Sequence, residues 1–297
     1  MHDENHHHGL AHDLEVLGQM VAERRRALRW LGVGSLAPLG LLACGGGDSA
    51  STTSTSTATG STTTTDTSTS TSTTTTGSCG NTTTIASETN GPYPADGTNT
   101  LNGSTVNALT LSGIVRSDIR SSIVSSSTTA AGVLLTVTLT LVNTNSSCAA
   151  LSGYAVYLWH CTRDGLYSMY SSGVTGENYL RGVQISDSNG SVTFTTIFPG
   201  CYSGRMPHIH FEVYASQTAA TTTPAGDQVR TSQIALPRDV CSAVYATTGY
   251  SASVANLAAI TFATDNVFSD GTSTELATVT GSASAGYAAT LTVGLAV

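Results

Sequence analysis

The chain has 297 residues, a formal net charge of −8 and only 10% charged residues, far below the ~25% of an ordinary soluble domain. Its eleven basic residues are all arginines and they form no basic patch in the later chain, so the counterion-release route to nucleic acid is closed. The surface must therefore rest on Ser, Thr, Asn and Gly, and the length allows one or two domains.

Residues 23–47 read ERRRALRWLGVGSLAPLGLLACGGG. Arg24, Arg25, Arg26 and Arg29 precede an apolar stretch too short and too broken by Pro38 and glycines for a spanning helix. LLAC at 41–44 looks like a bacterial lipobox, implying cleavage before Cys44 and a lipid on its sulfur. The paired arginines look like a twin-arginine export signal, with an ordinary secretory signal as the plainer alternative. Either way the mature domain is expected outside the cytoplasm, lipid-anchored to the envelope or secreted. The histidine run at 6–8 lies upstream of the cleavage point and is set aside. Residues 49–78 are Ser or Thr at 25 of 30 positions. A segment of this kind buries nothing and cannot offset its ordering entropy. It reads as a tether with an r.m.s. reach of roughly 30 Å. The expected organisation is a signal segment over 1–44, a Ser/Thr-rich linker over 45–78 and one folded domain over 79–297.

From Cys79 onward strand follows strand. LLTVTLTLV (134–142), YAVYLWHC (154–161), SVTFTTIF (191–198) and HIHFEVYA (208–215) alternate with period two and are rich in β-branched and aromatic residues. DSNG (187–190) is a turn signal, and residues 276–297 read as two more strands around a Gly/Ala loop. No segment shows sustained helical periodicity with caps. The fold predicted is all-β, a single β-sandwich. With Cys44 assigned to the lipid, Cys79, Cys148, Cys161, Cys201 and Cys241 remain in an oxidising compartment where disulfides are expected. Five is odd, so at least one thiol is left over or pairs outside the chain; two bridges among the five have many arrangements, and none is singled out.

The stretch FPGCYSGRMPHIHFEVY (198–214) carries the chemistry. Residues i and i+2 of a strand share a face, so His208 and His210 project side by side while Ile209 and Phe211 belong to the packing layer. Two imidazoles held at a fixed separation by a strand make a good pair of metal ligands, although zinc, copper and iron sites all use H-x-H, and a histidine pair that merely packs is the plain alternative. Tyr202 and Arg205 stand just before them. A second tyrosine, Tyr167, follows the turn in LWHCTRDGLYS (158–168).

Four blocks in this order, NGPYP (90–94), LWHCTRDGLYS, residues 179–214 and RTSQIALP (230–237), resemble the intradiol ring-cleavage dioxygenases, which include catechol and protocatechuate dioxygenases. The resemblance spans about residues 79–245. It implies a non-haem Fe(III) held by Tyr167, Tyr202, His208 and His210. Two phenolates and two neutral imidazoles leave one net positive charge on a trivalent ion, and hard oxygen donors suit Fe(III) better than softer metals. By the same resemblance, the substrate is a catechol-type aromatic diol, cleaved with O2 between its two hydroxylated carbons to a muconate-type diacid. Tyr202 is then the ligand displaced by substrate and a base for its protons, Arg205 stabilises negative charge on the ring, and Gln233 orients the reacting oxygens; Gln184 is a weaker candidate for the pocket wall. The long helical dimerisation region of the catechol-specific members is absent, and the oligomeric state is not readable.

Several neighbours carry plainer readings. His160 reads as a satisfied structural histidine, Arg181 as a structural salt-bridge or strand-edge arginine, Tyr170 as a surface residue, Glu212 as solvent-facing or structural, and Arg163 and Asp164 as solvated turn residues. Tyr93 either lines the substrate mouth or packs after Pro92. Cys201 stands where the family pattern favours a bulky residue, Asn90 replaces an acidic residue, and Pro94 replaces a second tyrosine; these departures bear on the substrate. Two rival readings are a non-catalytic cell-surface β-sandwich binding module on a Ser/Thr stalk, and another metalloenzyme on the same histidine pair, such as a zinc hydrolase.

Overall fold

The structure is a computed structural model, which describes residues 82–222 and 226–297. The signal predicted over 1–44, the linker over 45–78 and the domain start at Cys79 fall outside the described residues.

Two sheets form the body. The first has five strands, β3 (Leu134–Asn143), β4 (Ala149–Ala150), β7 (Ser191–Ile197), β10 (Thr278–Ser282) and β11 (Gly286–Leu295), with β3 and β11 parallel. The second has the order β6 (Arg181–Ile185), β5 (Ala155–Trp159), β8 (His208–Tyr214), β9 (Arg230–Ala235), all antiparallel. A separate hairpin pairs β1 (Asp96–Leu101) with β2 (Ser104–Asn107). Leu135, Val137, Leu139, Val192 and Phe194 of the first sheet share one core with Val156, Leu158, Ile209, Phe211, Val213 and Ile234 of the second. Each such side chain contributes about 1.5–3 kcal/mol on burial, and the period-two pattern selects which face enters this core. The expected all-β sandwich is what the chain forms.

The first sheet keeps its outer face in solvent. Thr136, Thr138 and Thr140 lie there beside Thr193, Thr195, Thr290 and Thr292 in register, which is how a surface poor in charge stays wet. The second sheet is different, because β5 and β8 are buried at every position. Its far face packs into a second core with Ala95, Leu109, Ile114, Tyr167 and Tyr170. A sheet buried on both faces can hold polar chemistry out of water, provided its polar groups find partners.

Three features depart from the expectations. The Asp187–Gly190 turn closes, with Gly190 N–H donating to the Asp187 carbonyl at 3.0 Å, but β6 and β7 on either side of it enter different sheets, so it joins layers. Short helices α1 (Gln217–Thr222), α2 (Arg238–Tyr245) and α3 (Ser251–Ala259) were not expected. Helix α2 buries Cys241, Val244 and Tyr245 at i, i+3 and i+4, and Arg238 donates to the Leu257 and Ile260 carbonyls at the end of α3. Finally, Cys161, Cys201 and Cys241 are free buried thiols. Cys148 is disulfide-bonded, so two bridges among the five cysteines do not form, and Cys201 supplies no disulfide.

Candidate metal centre

One rung of the second sheet organises the site. Arg181 pairs with Trp159, Trp159 with His210, and His210 with Gln233. All four lie on the face away from the sandwich core. Trp159 stacks on His210 with ring centroids 4.9 Å apart and planes 7° apart, which fixes the imidazole plane. From the other side Gly91 closes on the ring. Its φ is +70°, a left-handed conformation natural to glycine, and a Cβ there would stand 3.2 Å from His210 Cε1.

Two loops bring the tyrosines in. The segment after β5 carries Tyr167 and the segment after β7 carries Tyr202; they pack backbone to backbone where Gly200 meets the carbonyls of Thr162 and Arg163. Gly200 N–H donates to the Thr162 carbonyl at 3.0 Å. Tyr167 is buried and Tyr202 half-buried.

The polar ends converge. His208 Nε2 lies 3.1 Å from His210 Nε2, 3.2 Å from Tyr202 Oη and 3.5 Å from Tyr167 Oη, and Tyr167 Oη lies 3.3 Å from His210 Nε2. Ligands about 2.0–2.2 Å from one ion stand about 3.0–3.5 Å from one another, so this spacing suits a single ion at the centre. His208 Nδ1–H donates to the Met206 carbonyl at 2.6 Å, which leaves the Nε2 lone pair facing the cluster.

Electrostatics keep the four groups neutral without a cation. Burial, then Arg205, holds both imidazoles well below their ordinary pKa. Burial raises both phenols, Tyr167 well above its ordinary value and Tyr202 to about 12 against the pull of Arg205. Among the described residues no three His, Cys, Asp or Glu side chains stand together as a metal site; the only extra donors beside this histidine pair are phenols. Hard, anionic when ionised, and two in number, they suit a trivalent ion.

Around the cluster, Arg205 Nη1 comes within 3.5 Å of His208 Nε2, and its Nη2 donates to Gln233 Oε1 at 2.7 Å. Gln233 Nε2 donates to the Thr89 carbonyl at 2.9 Å. The structure therefore gathers Tyr167, Tyr202, Arg205, His208, His210 and Gln233 in one place. Gln184 pairs with Val156 and so sits on the opposite sheet face, not on the pocket wall.

The surrounding residues meet some expectations and depart from others. Of the two readings of Glu212 the structural one holds: it is buried and accepts from Tyr214 Oη–H at 2.7 Å. Tyr170 is buried, not on the surface; it accepts from Ala95 N–H and donates to Asn99 Oδ1. Arg181 is fully buried on the edge strand β6. Carbonyls take the place of an acidic partner, since it donates to Tyr93 O, Pro94 O and Ser168 O. It thus ties the 93–94 block to the Tyr167 loop. His160 has both ring nitrogens satisfied, by Cys161 O and Thr196 Oγ1. Tyr93 is half-buried with its ring 5.0 Å from that of Tyr167.

Residues 117–235 match the family model described as Dioxygenase, and this span holds all six gathered residues. The fold is that of the intradiol ring-cleavage dioxygenases. An intradiol ring-cleavage dioxygenase from Tetranychus urticae superposes with a TM-score of 0.53 at 23% identity, over 72% of this chain and 95% of that one. A second structure, described as dioxygenase Tetur07g02040, gives 0.51 at 23% identity, over 72% and 94%. No curated protein matches the chain. The dioxygenase likeness read from the sequence and the likeness in fold agree.

Sequence reasoning missed two contributors. Trp159 was visible as a strand aromatic, but its seat on His210 depends on strand register. Asp265, whose carboxylate accepts from Arg205 Nε at 3.0 Å, lies beyond the matched span, and only the short polar pair Asp265-Asn266, a turn signal, marks it.

Proposed function

We propose that the protein is a non-haem Fe(III) intradiol dioxygenase that opens a catechol-type diol between its hydroxylated carbons with both atoms of O2, giving a muconate-type diacid. The observation that carries this reading is the convergence of two phenol oxygens and two imidazole nitrogens at 3.1–3.5 Å. Tyr167, Tyr202, His208 and His210 would hold the iron. Ferric iron, when bound, supplies a Lewis acid that draws charge from a catecholate and makes its ring reactive toward O2.

The chain's own groups do the rest. Tyr202 is the less buried phenol and, in this reading, the one that gives way to substrate. Its pKa, pushed up to about 12 by burial, makes the released phenolate a ready acceptor for a substrate hydroxyl proton. Tyr167, buried with the Tyr93 ring 5.0 Å from its own, stays. Arg205 faces the centre and stabilises negative charge developing on the ring in a site with little water. Gln233 is held between Arg205 and Thr89 and orients the reacting oxygens. We extend the proposal to location: the signal-like segment ending at Cys44 supports an activity outside the cytoplasm, lipid-anchored to the envelope or secreted.

The binding-module reading finds less support in the surface. The exposed large apolar residues among those described are Val115, Val124, Leu134, Leu166, Val254, Leu276 and Val297, with no aromatic among them on which a sugar or aromatic polymer could stack.

The test is oxygen uptake by iron-loaded protein with unsubstituted and ring-substituted catechols, using labelled O2. Two labelled oxygens in a ring-opened diacid are expected. Uptake that yields a quinone, or none with any catechol on protein carrying a full iron complement, overturns the reading.

A further inference from the structure

We propose that Asp265 is the positioning residue for Arg205, and that this contact from beyond the dioxygenase span sets how the guanidinium faces the reacting ring. The inference rests on the function proposed above and adds a residue to its machinery.

Asp265 is fully buried, in the turn between the 3-10 segments Phe262–Thr264 and Phe268–Asp270. Its two oxygens take Arg205 Nε at 3.1 and 3.0 Å. The same carboxylate accepts from the backbone N–H of Met206, Val267 and Phe268. With its acceptor sites filled this way, it has little freedom to rotate. Because the carboxylate engages Nε, it leaves both terminal nitrogens of Arg205 for the site. Nη2 reaches Gln233 and Nη1 reaches the ligand cluster. Phe268, in the segment that Asp265 itself folds, lies with its ring 5.5 Å from the guanidinium carbon, so the plane of the fork is fixed as well as its direction.

The same residue touches the metal side. Met206 N–H donates to Asp265, and Met206 O takes the Nδ1 proton of His208. Asp265→Asn removes the charge facing Arg205 but keeps a side-chain oxygen for the backbone N–H donors, so it tests Arg205 while leaving the Met206–His208 link in place. The charge arrangement agrees: Asp265 balances a buried arginine, and a buried cation without its partner carries a large desolvation cost. Freed of that anchor, Arg205 is drawn to a phenolate instead of waiting for charge on the substrate.

The experiment is a double-mutant cycle with Asp265→Asn, Arg205→Gln and the pair. Each variant is measured for iron content, the visible tyrosinate-to-iron absorption band, anaerobic binding of the unreactive analogue 4-nitrocatechol, thermal midpoint, and kcat and KM in oxygen uptake. The expected result is that Asp265→Asn keeps its iron and its band, loses kcat by 10-fold or more with a smaller change in KM, and loses nothing further once Arg205 is already Gln. Equal fold-losses from Asp265→Asn in both backgrounds, or kcat within twofold of the parent, overturn the proposal. If Asp265→Asn does not fold, Asp265→Glu keeps the charge but displaces it by one methylene, and the same cycle is read with it. A parent protein that carries iron yet shows neither band nor uptake overturns the function and this inference together; a parent with both, and an additive cycle, overturns the inference alone.

Discussion

The two phenols of the cluster differ in one respect that decides their roles. Tyr167 is buried, with Tyr93 packed 5.0 Å from its ring, whereas Tyr202 is half-buried in the loop between β7 and β8. Tyr167 is a buried member of the second core, whereas Tyr202 only packs against its edge, so the departure of Tyr202 disturbs less of that core. Tyr202→Phe removes one anionic donor and the proton acceptor while keeping the ring's volume. The expected outcome is a chain that still binds iron through Tyr167, His208 and His210, with a weaker, shifted visible band and kcat lower by about 10²–10⁴-fold, the range for loss of a positioned acid–base group. Metal analysis, absorption and oxygen uptake on one preparation check it; near-normal turnover with full iron would remove Tyr202 from the chemistry. His208 and His210 were legible in the sequence because strand geometry alone puts i and i+2 on one face. The tyrosines were legible only through the family resemblance, since a lone tyrosine in a loop says nothing of where its oxygen goes. Asp265 was legible through neither: its meaning lies in a contact 60 positions away in sequence with Arg205.

At the scale of elements, the strands could be read and their pairing could not. Alternation marked the half-buried β3 and β7, while β5 and β8, buried on both faces, were marked by their β-branched and aromatic residues, and β10 and β11 by the Gly/Ala loop between them. Strand order depends on long-range contacts that no local pattern carries, so the turn signal at 187–190 was legible but not that its flanks part into two sheets. Helices α2 and α3 escaped because both are short and neither has a side-chain N-cap; Arg238 joins them by bonding to carbonyls at the end of α3. The junction of the two tyrosine loops makes the element-scale prediction. An added Cβ at Gly200 would overlap the Arg163 carbonyl oxygen and press on Thr162 O, backbone atoms that cannot rotate aside. Gly200→Ala is therefore expected to cost about 1–3 kcal/mol by overpacking and to push the Tyr202 loop off the cluster. Urea unfolding reads the first effect, and a displaced visible band at unchanged protein fold reads the second. A variant as stable as the parent with an unaltered band would show that the loops do not need this contact.

The whole molecule places its chemistry on a sheet that water does not reach, and the same burial governs how stability follows pH. Glu212 sits on the His210 face of β8 with no exposure, and burial, reinforced by Asp96, pushes its carboxyl up to about 8. Burial, reinforced by Glu88, does the same to Glu275, again to about 8. Both start from an ordinary value of 4.5, so between these limits the folded chain binds more protons than the unfolded chain. Stability from these two groups is then fully present below about pH 4.5 and is lost as pH rises through about 8. This runs opposite to proteins whose paired carboxylates stabilise them on the alkaline side. The replacement Glu212→Gln keeps the shape and an acceptor for the Tyr214 hydroxyl but removes the titration. It is expected to be more stable than the parent at pH 8–9 by about 1–3 kcal/mol and to show a flatter decline of the unfolding free energy from pH 5 upward. Urea unfolding across that range, at fixed iron loading, measures both. A parent whose stability rises with pH, or a variant that declines as steeply as the parent, would mean that Glu212 is ionised in the fold and that its pocket is wetter than its burial implies.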